Sequence, residues 1–156
     1  MKIYISVSDI SIKSINRELI RNAVKKTLRE CGLRVTDPYE VSIVFINRDE
    51  IAEMNNEYRG INRATDVISF AFSEGEGADL TPFILGDIFI CPEVVSDHSI
   101  KYGSGFDTEL IFVIVHGVLH LFGFNHELKK ERERMREVED IIMKKLVKEW
   151  KGRLEK

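Results

Sequence analysis

Three of the chain's four histidines fall within eleven residues, in the segment His116-Gly-Val-Leu-His120-Leu-Phe-Gly123-Phe-Asn-His126. Residues four apart share one face of a helix, so His116 and His120 are expected to project together from successive turns. Gly123 can take the positive φ that ends a helix and so turn His126 back toward the first two. Three imidazoles on one side of a metal leave the fourth position open. Catalytic zinc sites are built this way, whereas closed structural sites use four protein ligands. The plainer alternative is a pair of histidines packed inside an apolar helix. Residues 110–122 offer almost nothing else polar, so two unpartnered imidazoles would be costly to bury there. A shared metal removes that cost. Zinc is the expected ion, although nickel and copper also suit imidazole ligands.

An open zinc position lowers the pKa of bound water to about 7 and polarises carbonyl or phosphoryl oxygens. The spacing of His116, His120, Gly123 and His126 is that of the metzincin proteases, HExxHxxGxxH. Those enzymes carry a general-base Glu after the first His, where this chain has Gly117. Glycine neither takes nor gives a proton, which weighs against peptide hydrolysis. Phosphodiester cleavage asks for something else. Charge builds on nonbridging oxygens, and a metal with a nearby Arg supplies much of the stabilisation. The segment 58–63, Tyr-Arg-Gly-Ile-Asn-Arg, offers Arg59 and Arg63; a solvated loop cation is the competing reading for each. Asp66 and Asp87 sit at or inside apolar runs. Either could orient a ligating imidazole, or simply cap strand-end N–H groups. His98 lies outside the ligand spacing and reads as a solvated side chain.

The elements that must position these groups follow from the hydrophobic pattern. Strands are expected at 2–8, 41–46, 66–72 and 84–90, the last two being neighbours joined by the polar loop 73–82. Helices are expected at 14–30, at 48–58 behind an Asn47/Glu50 capping-box variant, and at 93–102 with Pro92 in the first turn. The histidine helix is expected over about 108–122. A charged amphipathic helix at 127–150 should turn Met135, Val138, Ile141, Ile142, Leu146 and Val147 inward. Its charge run from Lys129 reads as a solvated face. The pattern predicts one α+β domain over residues 1–156, a small mixed sheet of about four strands covered by helices. The metal site would lie on the central apolar helix and the loop after it.

At 156 residues, with 44% apolar and 31% charged residues, the chain can bury a real core. Its N-terminal segment lacks the basic start and apolar stretch of a signal peptide, and no apolar run is long enough to cross a bilayer. Cys31 and Cys91 are too few for a disulfide framework and read as core residues in a reducing cytoplasm. A net charge of −3 excludes a protein that is basic all over, but not a local nucleic-acid surface. Three neutral ligands would leave a divalent ion's charge uncompensated, which suits an anionic substrate.

Three segments, HGVLHLFGFNH, YRGINRATDVISFAF and LGDIFIC, resemble those of the YbeY family of bacterial zinc-dependent endoribonucleases. Their order and spacing match from about residue 55 to residue 126, and the flanking elements are compatible. Family members usually show Tyr-Asp where this chain has Phe124-Asn125, and commonly Pro at the positions of Ala64 and Ala71. The resemblance implies single-strand-specific RNA cleavage, maturation of the ribosomal RNA small-subunit 3′ end, and ribosome quality control. It implies zinc on His116, His120 and His126, with Arg59 as the cleft arginine. The implied partners are single-stranded RNA, a ribosomal RNA precursor and the ribosomal small subunit, with no DNA and no membrane. The nucleophile stays open: hydroxide leaves linear phosphate ends, and the ribose 2′-OH a 2′,3′-cyclic phosphate. The competing readings are a minimal metzincin-like zinc protease and a non-catalytic, metal-stabilised module that docks on the ribosome.

Overall fold

The computed structural model describes residues 1–8, 15–74, 80, 83–124 and 127–154. Its elements run β1 (Lys2–Val7), α1 (Arg17–Glu30), β2 (Glu40–Phe45), α2 (Arg48–Arg59), β3 (Val67–Ala71), β4 (Ile84–Ile90), α3 (Pro92–Tyr102), α4 (Phe106–Leu121) and α5 (Lys129–Leu154). The expected α+β architecture is present. β1, β2 and β4 are parallel, and β3 lies antiparallel against β4 at one edge, giving the order β1-β2-β4-β3. β3 and β4 are therefore the expected neighbours. Most of the loop between them lies outside the described residues.

Local chemistry sets the helix boundaries. The first helix begins at Arg17 because the Asn16 carboxamide accepts the Leu19 N–H at 3.0 Å, satisfying one free donor of the first turn. Asn47 caps α2 in the same way, accepting the Glu50 N–H at 2.9 Å. Only half of the anticipated capping box forms. The Glu50 carboxylate accepts the Ser8 hydroxyl instead, at 3.1 Å. Pro92 opens α3, where its missing N–H costs nothing.

The sheet is covered on both faces. Val41, Ile43 and Phe45 of β2, with Ile88 and Ile90 of β4, join the main core with α1, α4 and α5. On the opposite face Val44, Ile68, Phe70 and Phe89 pack with Ile51 and Met54 of α2 and Val94 of α3. The helix α4 is the hub, touching α1, α3, α5, β3 and β4. Leu110, Ile114, Val115, Val118 and Leu119 are fully buried along it. Burial around most of its circumference explains why its sequence lacks a broad polar face; the side left open carries Phe112, His116 and His120. Gly117 brings this helix close to the sheet: a Cβ there would stand 3.0 Å from Ile88 Cγ2 and 3.0 Å from Ser69 Oγ.

One expected face needs correction. Met135, Ile142 and Leu146 of α5 are buried, but Ile141 is 52% exposed and Glu139 is only 6% exposed. The buried stripe runs 135, 139, 142, 146, which is a helical row; Ile141 falls off it. Both cysteines are free thiols. Burial, with Glu30 beside it, pushes Cys31 up to about 11, and burial also raises Cys91. Neither thiol is activated as a nucleophile or thiolate ligand. Among the described residues no single helix is long and apolar enough to cross a membrane.

Candidate active site

The helix α4 delivers His116 and His120 one turn apart, and their rings converge. The two Nε2 atoms are 3.0 Å apart, with ring centroids at 4.5 Å and planes at 79°. Two nitrogens bound to one tetrahedral zinc at about 2.0–2.1 Å would stand roughly 3.3 Å apart. The pair is close to that span without rearrangement, and imidazole nitrogens are a donor type zinc takes readily. These two residues fit the metal.

Behind His116 stands a group that the sequence reading did not identify. Glu139 of α5 places Oε1 2.5 Å from His116 Nδ1. With Nδ1–H donating to that carboxylate, the Nε2 lone pair is left facing His120. A signal for Glu139 was present in the sequence: position 139 lies in register with Met135, Ile142 and Leu146.

The helix α4 is closed at Gly123 as expected. Gly123 has φ +85°, the Gly123 N–H reaches the His120 carbonyl at 3.0 Å, and the Phe124 N–H reaches the Leu119 carbonyl at 3.2 Å. This paired closure is the Schellman motif, and the glycine is needed because L side chains rarely adopt that φ. Asn125 and His126 lie outside the described residues. Among the described residues, no group of three His, Cys, Asp or Glu side chains gathers to hold a metal.

The two imidazoles line a cavity of about 290 Å³, and Arg59, Asp66, Ser69 and Phe112 are also in its wall. Arg59 is the last residue of α2, where Gly60 ends the helix in the left-handed conformation. The loop that follows is held by Asn55, 3% exposed, whose amide donates to the Arg63 carbonyl at 2.9 Å. The two candidate arginines are thereby separated: Arg59 faces the cavity, and Arg63 is an exposed side chain outside its lining. Sequence spacing alone could not distinguish them.

The other candidates divide as clearly. Asp66 is in the cavity wall, but its side-chain contacts are with His98 Nδ1 at 3.5 Å and the Thr65 hydroxyl at 3.4 Å. His98 is thus a partly exposed partner of Asp66, outside the cavity lining. Asp87 pairs in register with Phe70 and Ser42, so it shares their face of the sheet. Phe70 stacks edge-on against Tyr58 of α2 at 4.8 Å, on the side away from α4. Asp87 therefore does not orient the histidines.

A guanidinium and two metal-competent imidazoles facing one solvent-open cavity form an arrangement for a phosphodiester. The comparisons with known proteins agree. The sequence model described as Endoribonuclease YbeY matches residues 3–147. A relative named Endoribonuclease YbeY from Caldanaerobacter subterraneus subsp. tengcongensis is 37% identical over 139 residues, covering 82% of this chain and 85% of its own. One of the same name from Clostridioides difficile (strain 630) is 38% identical over 136 residues, covering 85% and 88%. The solution structure of TM1509 from Thermotoga maritima superposes with a TM-score of 0.63 at 27% identity, covering 97% of this chain and 93% of that one. With the family's sequence model spanning nearly the whole chain and relatives this similar along most of their length, the chain belongs to the Endoribonuclease YbeY family of hydrolases.

Proposed function

We propose that the chain, acting as one domain over residues 1–156, is a zinc-dependent, single-strand-specific endoribonuclease. It would act in the cytoplasm on ribosomal RNA precursors, at the small-subunit 3′ end and in ribosome quality control, in association with the small subunit. The observation that carries this reading is the shared cavity of Arg59, His116 and His120. Family membership supports RNA as the substrate class. His116, His120 and His126 would hold the ion; the first two meet the donor spacing, and the third is carried by the spacing of the sequence. When bound, zinc supplies charge stabilisation at the phosphate and lowers the pKa of water.

The chain's own residues supply the rest. The planar guanidinium of Arg59 can grip two nonbridging oxygens of the scissile phosphate and so fix its orientation. Being exposed at a helix end, it reaches the substrate without a buried-charge cost. Glu139 holds the His116 ring in place from behind. Gly117 brings no general base, so deprotonation of the nucleophile does not fall to the position a metzincin uses.

Replacing Arg59 with alanine tests the role of the cleft. Loss of one preorganised donor to the transition state costs about 10²–10³-fold in rate. Cleavage of an end-labelled single-stranded RNA should fall by that factor, with zinc affinity and melting temperature unchanged. Cleavage at the wild-type rate would remove Arg59 from the reaction. End analysis of the wild-type products identifies the nucleophile, with a cyclic phosphate for the 2′-OH and a linear one for water.

A further inference from the structure

We infer that Glu139 is a positioning residue that sets the tautomer of His116 and makes zinc affinity depend on the C-terminal helix. The inference rests on the metal reading of the site given above. Three observations carry it. Glu139 is 6% exposed, on a row whose other members, Met135, Ile142 and Leu146, are apolar and buried. A carboxylate in an apolar row is unfavourable unless something there needs it. Its Oε1 lies 2.5 Å from His116 Nδ1, within direct hydrogen-bond contact. And the opposite ring nitrogen, Nε2, is the one turned toward His120 at 3.0 Å.

These facts fit together in one way. A neutral imidazole carries its proton on one nitrogen and a lone pair on the other. Glu139 accepts a hydrogen bond and, ionised, cannot donate one, so it places the proton on Nδ1. The lone pair is then on Nε2, where a metal shared with His120 would find it. Asp66 has its contacts with His98 and Thr65, and Asp87 faces away from α4, so neither takes this role. The consequence is a link between distant parts of the chain: α5, beginning after the histidine loop, braces the first ligand from beyond its second turn. Docking of α5 and occupancy of the metal site should therefore reinforce one another.

The test compares wild type with Glu139→Leu and Glu139→Gln. Zinc affinity is measured by competition with a chromogenic chelator, and the His116 tautomer of the metal-free protein by ¹⁵N NMR. Leucine should weaken zinc binding by about 10–100-fold and let the ring proton move to Nε2. It should leave the melting temperature of the metal-free protein equal or higher, because it completes the apolar row. Glutamine keeps an acceptor oxygen without the charge, so its loss of affinity should be smaller than leucine's. It also serves as the folded variant if leucine disrupts α5. A merely structural Glu139 predicts the reverse: lower melting temperature, with unchanged affinity and tautomer. Wild type that takes up zinc while both variants match it in affinity and tautomer would overturn the role of Glu139 alone. Wild type that binds no zinc would overturn the metal reading on which the inference rests.

Discussion

Replacing His116 with alanine is expected to lower RNA cleavage by roughly 10³-fold or more. The substitution removes one of two converging Nε2 atoms and, if these hold the proposed zinc, would remove with it a metal contribution worth several kcal/mol. At 1.36 kcal/mol per decade, about 4 kcal/mol corresponds to that factor. The same change strips Glu139 of its partner, which adds a stability cost of about 1–3 kcal/mol for the orphaned group. Chain folding must therefore be followed by circular dichroism beside the RNA assay. His116→Ala/Glu139→Gln should recover part of the stability and none of the cleavage. A single variant that is folded and cleaves within tenfold of wild type would take His116 out of the active site. Wild type that binds RNA or ribosomes but never cuts would instead favour a docking module.

The second large effect is expected from Gly117→Glu, which would restore the metzincin motif on paper. The structure leaves little room for it. A Cβ at 117 already meets Ile88 Cγ2 and Ser69 Oγ at 3.0 Å, and Ile88 is fully buried beneath the helix. Overpacking costs about 1–3 kcal/mol, and a carboxylate forced into the helix–sheet seam adds several more. The sum, at least about 4 kcal/mol, removes a large share of the 5–15 kcal/mol typical of a domain. A urea midpoint well below that of wild type, with no zinc-dependent cleavage of a quenched peptide, is the expected result. A stably folded variant that hydrolyses peptides would show that the site tolerates a protease plan. The glycine after the first histidine is thus a packing requirement as well as a missing base.

Much of this site could be read from local spacing. His116 and His120 are four apart on a helix, Gly123 has the φ its position called for, and β4 spans the residues its β-rich run indicated. Arg59 was legible as a candidate, but its separation from Arg63 depends on a loop held by Asn55, which sequence spacing does not reveal. Glu139 was missed for a different reason. It stands 23 residues from His116, on a helix so rich in acids and bases that one buried carboxylate is hidden among solvated ones. Apolar type alone places Ile141 on the inward face of that helix, whereas the buried row is 135, 139, 142, 146 and Ile141 is exposed. Asp87 could not be assigned to a face from alternation. Helices cover both sides of the sheet, so its neighbours on β4 are apolar in both parities. Strand order is only partly local: the loop joining β3 to β4 marks them as neighbours, but nothing near either states that the pair lies beside β2, with β1 at the far edge.

The central claim, a zinc site on α4 that cuts RNA, is tested most directly by metal titration of the wild-type chain. Protein stripped by a chelator and passed through a desalting column would receive zinc in steps. The substrate would be an end-labelled single-stranded RNA with the sequence of a small-subunit ribosomal 3′ precursor, and its initial cleavage rate would be read at each step. The rate should start near zero, rise in proportion to zinc, and level off at one ion per chain, while single-stranded DNA of the same sequence stays intact. Full cleavage by the stripped protein, unchanged as zinc is added, would contradict the account.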